Sequence, residues 1–132
     1  MSLYTISRRY KMPNDKIVVA YKIFIKEGKV YKSVYKQMEK KYLEGREYKA
    51  TGKIRFGLSY PAGFHAYCDL KETVKHFRKI WSVGFSNENY TICEVHLWNL
   101  CCLGIQGKRK AVVAKKMRIV AELNRKGEAI AI

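Results

Sequence analysis

A chain of 132 residues has the usual length of a single domain, and its hydrophobic fraction of 48% with ten tyrosines favours a folded protein over a disordered basic tail. Twenty-seven Lys and Arg residues against eleven Asp and Glu residues give a formal net charge of +16, which indicates a partner such as nucleic acid, an RNA–protein machine or an acidic protein. No apolar run is long enough to span a bilayer, and the first residues lack the apolar core of a secretory signal. We therefore expect a cytoplasmic protein with no membrane partner.

The first half of the chain reads as an arm followed by strands. Residues 1–16 are polar and basic, which predicts an exposed N-terminal arm ahead of a single domain over residues 17–124. The β-branched and aromatic residues of 17–25 predict a strand, followed by a hairpin turn and a returning strand over 29–36. The segment after the turn also fits one face of a helix, but its β-forming residues favour the strand. A tight turn is predicted over 42–48 and a short alternating strand over 53–58.

The middle of the chain carries the clearest helix signal. Asp69 is a good N-cap residue, and Glu72 follows it at the spacing of a capping box. Apolar residues then recur at helical spacing along one face: Leu70, Val74, Phe77 and Trp81. These signals predict a helix over about 69–81, and residues 63–70 are expected to connect the sheet to this helix.

The second half is predicted to return to the sheet. Residues 90–98 and 119–123 read as strands, 103–110 as a glycine-rich basic turn, and 111–118 as either a helix or a strand. A loose tail is expected over 125–132. Together these segments predict an α+β fold, in which one main α-helix packs on a mainly antiparallel β-sheet.

Two mirror-image pairs, His65-x-x-Cys68 and Cys93-x-x-His96, have the spacing of zinc ligands. In a strand over 90–98, however, Cys93 and His96 point to opposite faces, so the strand cannot direct both side chains at a single ion. The favoured interpretation is therefore two core or sheet-edge thiols and two surface or hydrogen-bonded histidines, with no metal and no cofactor.

The four cysteines are expected to be free thiols, and Cys101 and Cys102, which lie between two leucines, are expected to be buried. Cys68 precedes a helix N-terminus, where the helix dipole lowers the pKa of a thiol. The neighbouring carboxylate of Asp69 opposes thiolate formation, and no third orienting group is evident. A structural thiol is the favoured interpretation of Cys68.

Tyrosines and lysines interleave in a way that is typical of nucleic-acid-binding surfaces, where cations follow the phosphates and aromatic rings stack on the bases. The predicted contacts are Tyr31, Lys32, Tyr35, Lys36, Lys40, Lys41 and Tyr42, with a second edge at Lys108, Arg109, Lys110, Lys115 and Lys116. The competing interpretation is that the lysines keep the protein in solution and the tyrosines fill a small core.

Four features in this order carry a family resemblance: the strand Tyr21-Lys22-Ile23-Phe24, Tyr31 followed by the segment 42–48, the Gly63-Phe64-His65-Ala66 segment before a capped helix, and the ending over 114–123. They resemble a loosely defined set of small phage and mobile-element proteins of unknown function, over about residues 17–124. The stretch 98–107, with its cysteine pair, is not part of that pattern. The resemblance implies a viral or mobile-element accessory protein that works in the host cytoplasm.

The order of strand, loop, histidine and helix is also similar to the front half of ADP-ribosyltransferase domains. Those enzymes place a polar residue on an early strand, a Ser or Tyr in the centre and an acidic residue late in the chain. The resemblance implies these roles for Tyr21 or Tyr31, for His65 or Tyr67, and for Glu94 or Glu122. None of these residues stands in a diagnostic motif.

The favoured hypothesis is an accessory protein that acts by occupancy and not by catalysis. It would bind RNA, DNA or a host nucleoprotein such as a CRISPR defence complex. The alternatives are an enzyme similar to the ADP-ribosyltransferases and a direct protein–protein inhibitor of a defence nuclease.

Overall fold

The computed structural model describes residues 3, 5–33, 41–50, 63–82, 89–124 and 126–130. Within these ranges the chain forms one α-helix and eight β-strands of a single antiparallel sheet, which confirms the predicted α+β class. The elements are β1 (Thr5–Arg9), β2 (Ile17–Glu27), β3 (Val30–Ser33), β4 (Lys41–Tyr42), β5 (Glu47–Lys49), β6 (Phe64–Tyr67), α1 (Leu70–Ser82), β7 (Tyr90–Gln106) and β8 (Arg109–Leu123).

The long strands β7 and β8 form a hairpin that is the centre of the sheet. They pair over almost their whole length, and only Gly107 and Lys108 remain as the turn, with φ angles of 55° and 68°. Both angles lie in the left-handed region, as a two-residue type I′ turn requires. The prediction of a turn over 103–110 is therefore wrong outside these two residues. The segment 111–118, which fitted either a helix or a strand, lies in β8 together with 119–123.

The sheet curls until its strands meet. β2 pairs with the first half of β7, and β6 pairs along its length with β8. β6 also meets β2 where Tyr21 lies opposite Tyr67, so the pairings from β2 through β7, β8 and β6 return to β2. We call these four strands the strand ring. Strand twist gives long strands the coiling that such closure needs.

Side chains that point into the strand ring form the main core. Phe24, Leu97 and Met117 have no exposed surface there. Five aromatic side chains extend this core in edge-to-face contacts, with centroids 4.8 to 6.0 Å apart: Phe24, Tyr31, Tyr42, Tyr48 and Phe64. Each contact of this kind adds about 0.5–1.5 kcal/mol beyond the buried area.

The predicted helix is confirmed as α1, and so is its N-cap. Asp69 Oδ1 accepts a hydrogen bond from the Glu72 N–H at 3.1 Å, which satisfies one of the amide groups that a helix start leaves open. Val74 and Phe77 are buried against the outer side of the sheet. Full burial of each such side chain stabilises the fold by about 1.5–3 kcal/mol, so the apolar stripe anchors α1 to the sheet.

The two chain ends differ from the prediction. In the proposed arm over 1–16, β1 pairs with the second half of β7 and Leu3 is buried, so the described part of this segment belongs to the sheet, although most side chains of β1 are exposed as predicted. In the proposed loose tail, the Ile130 N–H donates to the Glu122 carbonyl at 2.9 Å, and Ala129 forms a bridge with Leu123. The described part of the tail therefore folds back on β8.

The remaining predicted segments lie between β2 and β6. β3 is a strand that pairs with β2, so the helical alternative is wrong for Val30–Ser33. The tight turn over 42–48 is present, with the Leu43 N–H donating to the Tyr48 hydroxyl at 2.7 Å. The predicted strand over 53–58 lies outside the described residues.

Candidate nucleic-acid interface

The candidate zinc ligands do not assemble into a site. Cys93 is fully buried inside the strand ring, whereas His96 is half-buried on the other side of the same strand. His65 lies in β6, where its Nδ1 is 3.2 Å from the carbonyl oxygen of Gly63, and Cys68 follows that strand. Within the described ranges, no group of three or more His, Cys, Asp or Glu side chains could hold a metal ion.

The four cysteines are free thiols, and the fold covers each of them at least in part. Cys93, Cys101 and Cys102 are buried, and burial raises the pKa of Cys102 to about 11. Burial also raises the pKa of Cys68; Lys110 opposes this shift and Asp69 adds to it. A thiol with a raised pKa is protonated at neutral pH, so Cys68 does not have the properties of an activated nucleophile.

Two of the tyrosines that were predicted to stack on bases are core residues. Tyr31 is 5% exposed and Tyr42 is 4% exposed. Burial raises the pKa of both phenols, that of Tyr42 to about 12. The prediction of stacking is therefore wrong for Tyr31 and Tyr42, because the core covers the faces of both rings. Tyr35, Lys36 and Lys40 lie outside the described residues.

The predicted cations that the structure describes fall into two groups, one where Lys32 of β3 lies opposite Lys41 of β4 and one on the β7–β8 hairpin. Lys32 forms an ion pair of 2.8 Å with Glu27, and Lys41 is exposed on β4. Three cations surround the tip of the β7–β8 hairpin, and two lie further along β8: Lys108, Arg109 and Lys110, then Lys115 and Lys116. At the tip, Arg109 Nη1 donates to the carbonyl of Gly107 at 2.8 Å.

The residues of the enzyme alternative fall into two groups. Glu122 Oε1 accepts a hydrogen bond from the Tyr31 hydroxyl at 2.9 Å and lies 2.5 Å from Lys26 Nζ. This carboxylate therefore ties β8 to β2 and β3. In the second group, Tyr21 lies opposite both Tyr67 and Glu94, where the strand ring closes.

Among the residues that the structure describes, no element packs on one end of the outer side of the sheet. Near α1 this side is covered, because Val74 and Phe77 pack on Ile23 and Leu123. At the other end, large apolar side chains remain exposed to water: Ile17 by 66%, Val19 by 45% and Val120 by 37%. We define the open face by two rows of side chains: Ile17, Trp98, Lys116 and Lys49, then Val19, His96, Arg118 and Glu47.

The first row crosses four neighbouring strands. Strand pairing places Ile17 of β2 opposite Trp98 of β7, Trp98 opposite Lys116 of β8, and Lys116 opposite Lys49 of β5. Since neighbouring strands lie about 4.8 Å apart, the row is about 14 Å long. It begins with an aliphatic and an aromatic side chain and ends with two ammonium groups.

The second row adds a guanidinium group beside the tryptophan. Arg118 Cζ lies 5.8 Å from the centroid of the Trp98 ring, within the range of a cation–π contact. Arg118 Nη2 also lies 2.6 Å from Glu47 Oε1, and Glu47 is exposed, so this ion pair is worth at most about 1 kcal/mol. Two lysines and one arginine against one glutamate leave the open face with a formal charge of +2.

Most of the open face was not among the predicted contacts. Only Lys116 was, whereas Trp98, Ile17 and Lys49 were not. Alternation along β7 was the available signal, because Val95 and Leu97 are fully buried while His96 and Trp98 are not. The neighbours of Trp98 on β2 and β8 depend on strand register, which a single strand does not reveal.

No protein-family model, curated protein or solved structure matches the chain. The resemblances to small phage and mobile-element proteins and to ADP-ribosyltransferase domains therefore stay predictions. In the part of the chain that the structure describes, no helix combines the length and the apolar character needed to cross a membrane.

Proposed function

We propose that the protein binds nucleic acid through the open face and acts by occupying its partner, without catalysis. The observation that carries the proposal is the first row, in which Ile17 and Trp98 lead directly to Lys116 and Lys49. Nucleic acids offer the same two chemistries side by side, because flat apolar bases are joined to charged phosphates.

The charge of the whole chain supports this choice of partner. The formal net charge is +16, whereas the open face accounts for only +2 of it. The remaining excess attracts a polyanion over a distance, while the open face gives it a place to bind. Binding of this kind suits the accessory role that the phage resemblance implies, in which the protein competes for the nucleic acid of a host complex.

Salt dependence tests the proposal. Labelled single-stranded and duplex oligonucleotides would be titrated with the protein at 50 to 200 mM NaCl, with fluorescence anisotropy as the readout. If the three cations of the open face each neutralise one phosphate, the slope of log K against log salt should be about −2 to −3. An absence of binding at 50 mM salt, or an affinity that does not change with salt, would contradict the proposal.

A further inference from the structure

We infer that the open face selects unpaired nucleotides over duplex, with bases lying on Ile17 and Trp98 and phosphates lying towards Lys116 and Lys49. This inference rests on the proposed function and names the class of nucleic acid that the same site would take. It follows from what each half of the first row can contact.

The apolar half of the row has no counterpart on a duplex. In a double helix the bases stack on one another, so a protein surface meets phosphates, sugars and the edges of the base pairs. Ile17 is 66% exposed and Val19 is 45% exposed, and both would face that charged surface without being buried. An unpaired base presents a flat apolar face that covers such side chains and stacks on Trp98.

The basic half of the row fixes the direction of the chain across the sheet. Lys116 and Lys49 lie one and two strands from Trp98, at about 5 and 10 Å. Within the first row, a nucleotide whose base rests on Trp98 therefore meets cations only on the side of β8 and β5. Ile17, on the opposite side, offers its phosphate no charge.

Arg118 adds a further cation that can contact the phosphate backbone of the nucleic acid. Arg118 lies two residues from Lys116 along β8, on the same side of the strand, so a second phosphate meets a second positive charge. Its present partner, Glu47, is an exposed carboxylate, and water and salt weaken such an ion pair. A phosphate can therefore compete for the guanidinium at low cost.

Affinities for matched single-stranded and duplex oligonucleotides test the inference. A 12-nucleotide strand and the 12-base-pair duplex of the same sequence would be compared for wild type, Trp98→Leu and Tyr90→Leu at 100 mM salt. Tyr90 is the matched control because it lies on β7 but belongs to the cluster beneath α1. We expect wild type to prefer the single strand by at least tenfold and Trp98→Leu to lose about tenfold of that affinity. We also expect less than a twofold change for Trp98→Leu on the duplex and for Tyr90→Leu on either ligand.

The outcomes separate the inference from the proposed function. Equal affinity of wild type for both ligands overturns the inference and leaves the proposed function standing. Binding of neither ligand overturns both. Sedimentation that shows a dimer dissociating as nucleic acid binds would assign the open face to a second copy of the chain, and would also overturn the inference.

A second measurement on the unaltered protein does not depend on how the variants fold. An oligonucleotide carrying 4-thiouridine would be cross-linked to wild type, and the modified peptides would be mapped. We expect the base to be attached to peptides that contain Ile17 or Trp98. Attachment to the peptide of Lys49 instead would show that the bases lie on the β8–β5 side, and would overturn the proposed orientation.

Discussion

Lys22 places an amine inside the strand ring. It lies between Ala20 and Phe24, which point into the core with no exposed surface, and alternation along β2 turns Lys22 to the same side. Its Nζ donates to the carbonyl of His65 at 2.6 Å, and no described carboxylate pairs with it. Burial lowers the pKa of Lys22 to about 8, because the interior disfavours the charged form. At neutral pH the protein therefore holds the charge of this half-buried side chain at a cost in stability.

This cost gives a prediction about pH. The pKa of Lys22 is about 8 in the folded state and about 10.5 in the unfolded state. Between these values the unfolded state binds more protons. The destabilisation caused by Lys22 therefore falls as pH rises through that window. Replacing the lysine by the neutral side chain in Lys22→Met should raise the free energy of unfolding at pH 7 by about 1–3 kcal/mol. The advantage over wild type should shrink steadily from pH 8 and be lost by about pH 10.5, as measured by urea unfolding.

Comparison with the variant is needed because other groups act in the opposite direction. Burial raises the pKa of Cys93 and of Tyr31, so the unfolded state loses these protons first and both groups reduce stability at alkaline pH. Their contributions cancel in the difference between wild type and Lys22→Met. A difference that stays constant from pH 7 to 10.5 would show that the amine is not desolvated.

At the scale of elements, structure that depends on nearby residues was predictable from the sequence, and structure that depends on long-range strand pairing was not. α1 has both its cap and its apolar stripe within residues 69–81, so the sequence predicted it closely. Gly104 shows the opposite case. It was interpreted as part of a turn, but it lies within β7, where the absence of a side chain lets β1 approach. β1 itself was missed because its pairing depends on the free edge of β7 and not on its own polar residues.

The approach of β1 at Gly104 can be tested with one added methyl group. A Cβ atom at this position would collide with the carbonyl oxygen of Thr5 and lie 2.7 Å from Leu3 Cδ1, so Gly104→Ala should displace β1. We expect a loss of about 1–3 kcal/mol in the free energy of unfolding. Amide hydrogen exchange should show lost protection over residues 5–9 and retained protection over 92–98.

The control for this variant is Gly28→Asn. Gly28 has a φ of 60°, a conformation that Asn tolerates, and no atom lies within 4 Å of an added Cβ. The control should keep the protection of β1. Unchanged exchange of residues 5–9 in Gly104→Ala would show that the close approach does not hold β1 in place.

At the scale of the whole molecule, the basic character was predictable and its arrangement was not. Composition alone indicated a polyanionic partner. It could not show that Tyr31 and Tyr42 would be buried in the core, or that Trp98 would lie beside Lys116. Both outcomes follow from how three separate parts of the chain pair across the sheet. The open face is therefore a property of the fold, although each of its side chains is visible in the sequence.

The most direct test of the open face compares two variants of equal net charge. Lys49→Gln/Lys116→Gln removes two cations from the face, and Lys29→Gln/Lys71→Gln removes two exposed cations elsewhere, so both lower the formal charge from +16 to +14. For a single-stranded oligonucleotide at 100 mM salt, we expect the first variant to bind at least tenfold more weakly than wild type, with a salt slope smaller by about 1.4. The second variant should stay within threefold of wild type. Equal weakening of the two variants would show that only the overall charge matters, and would contradict binding through the open face.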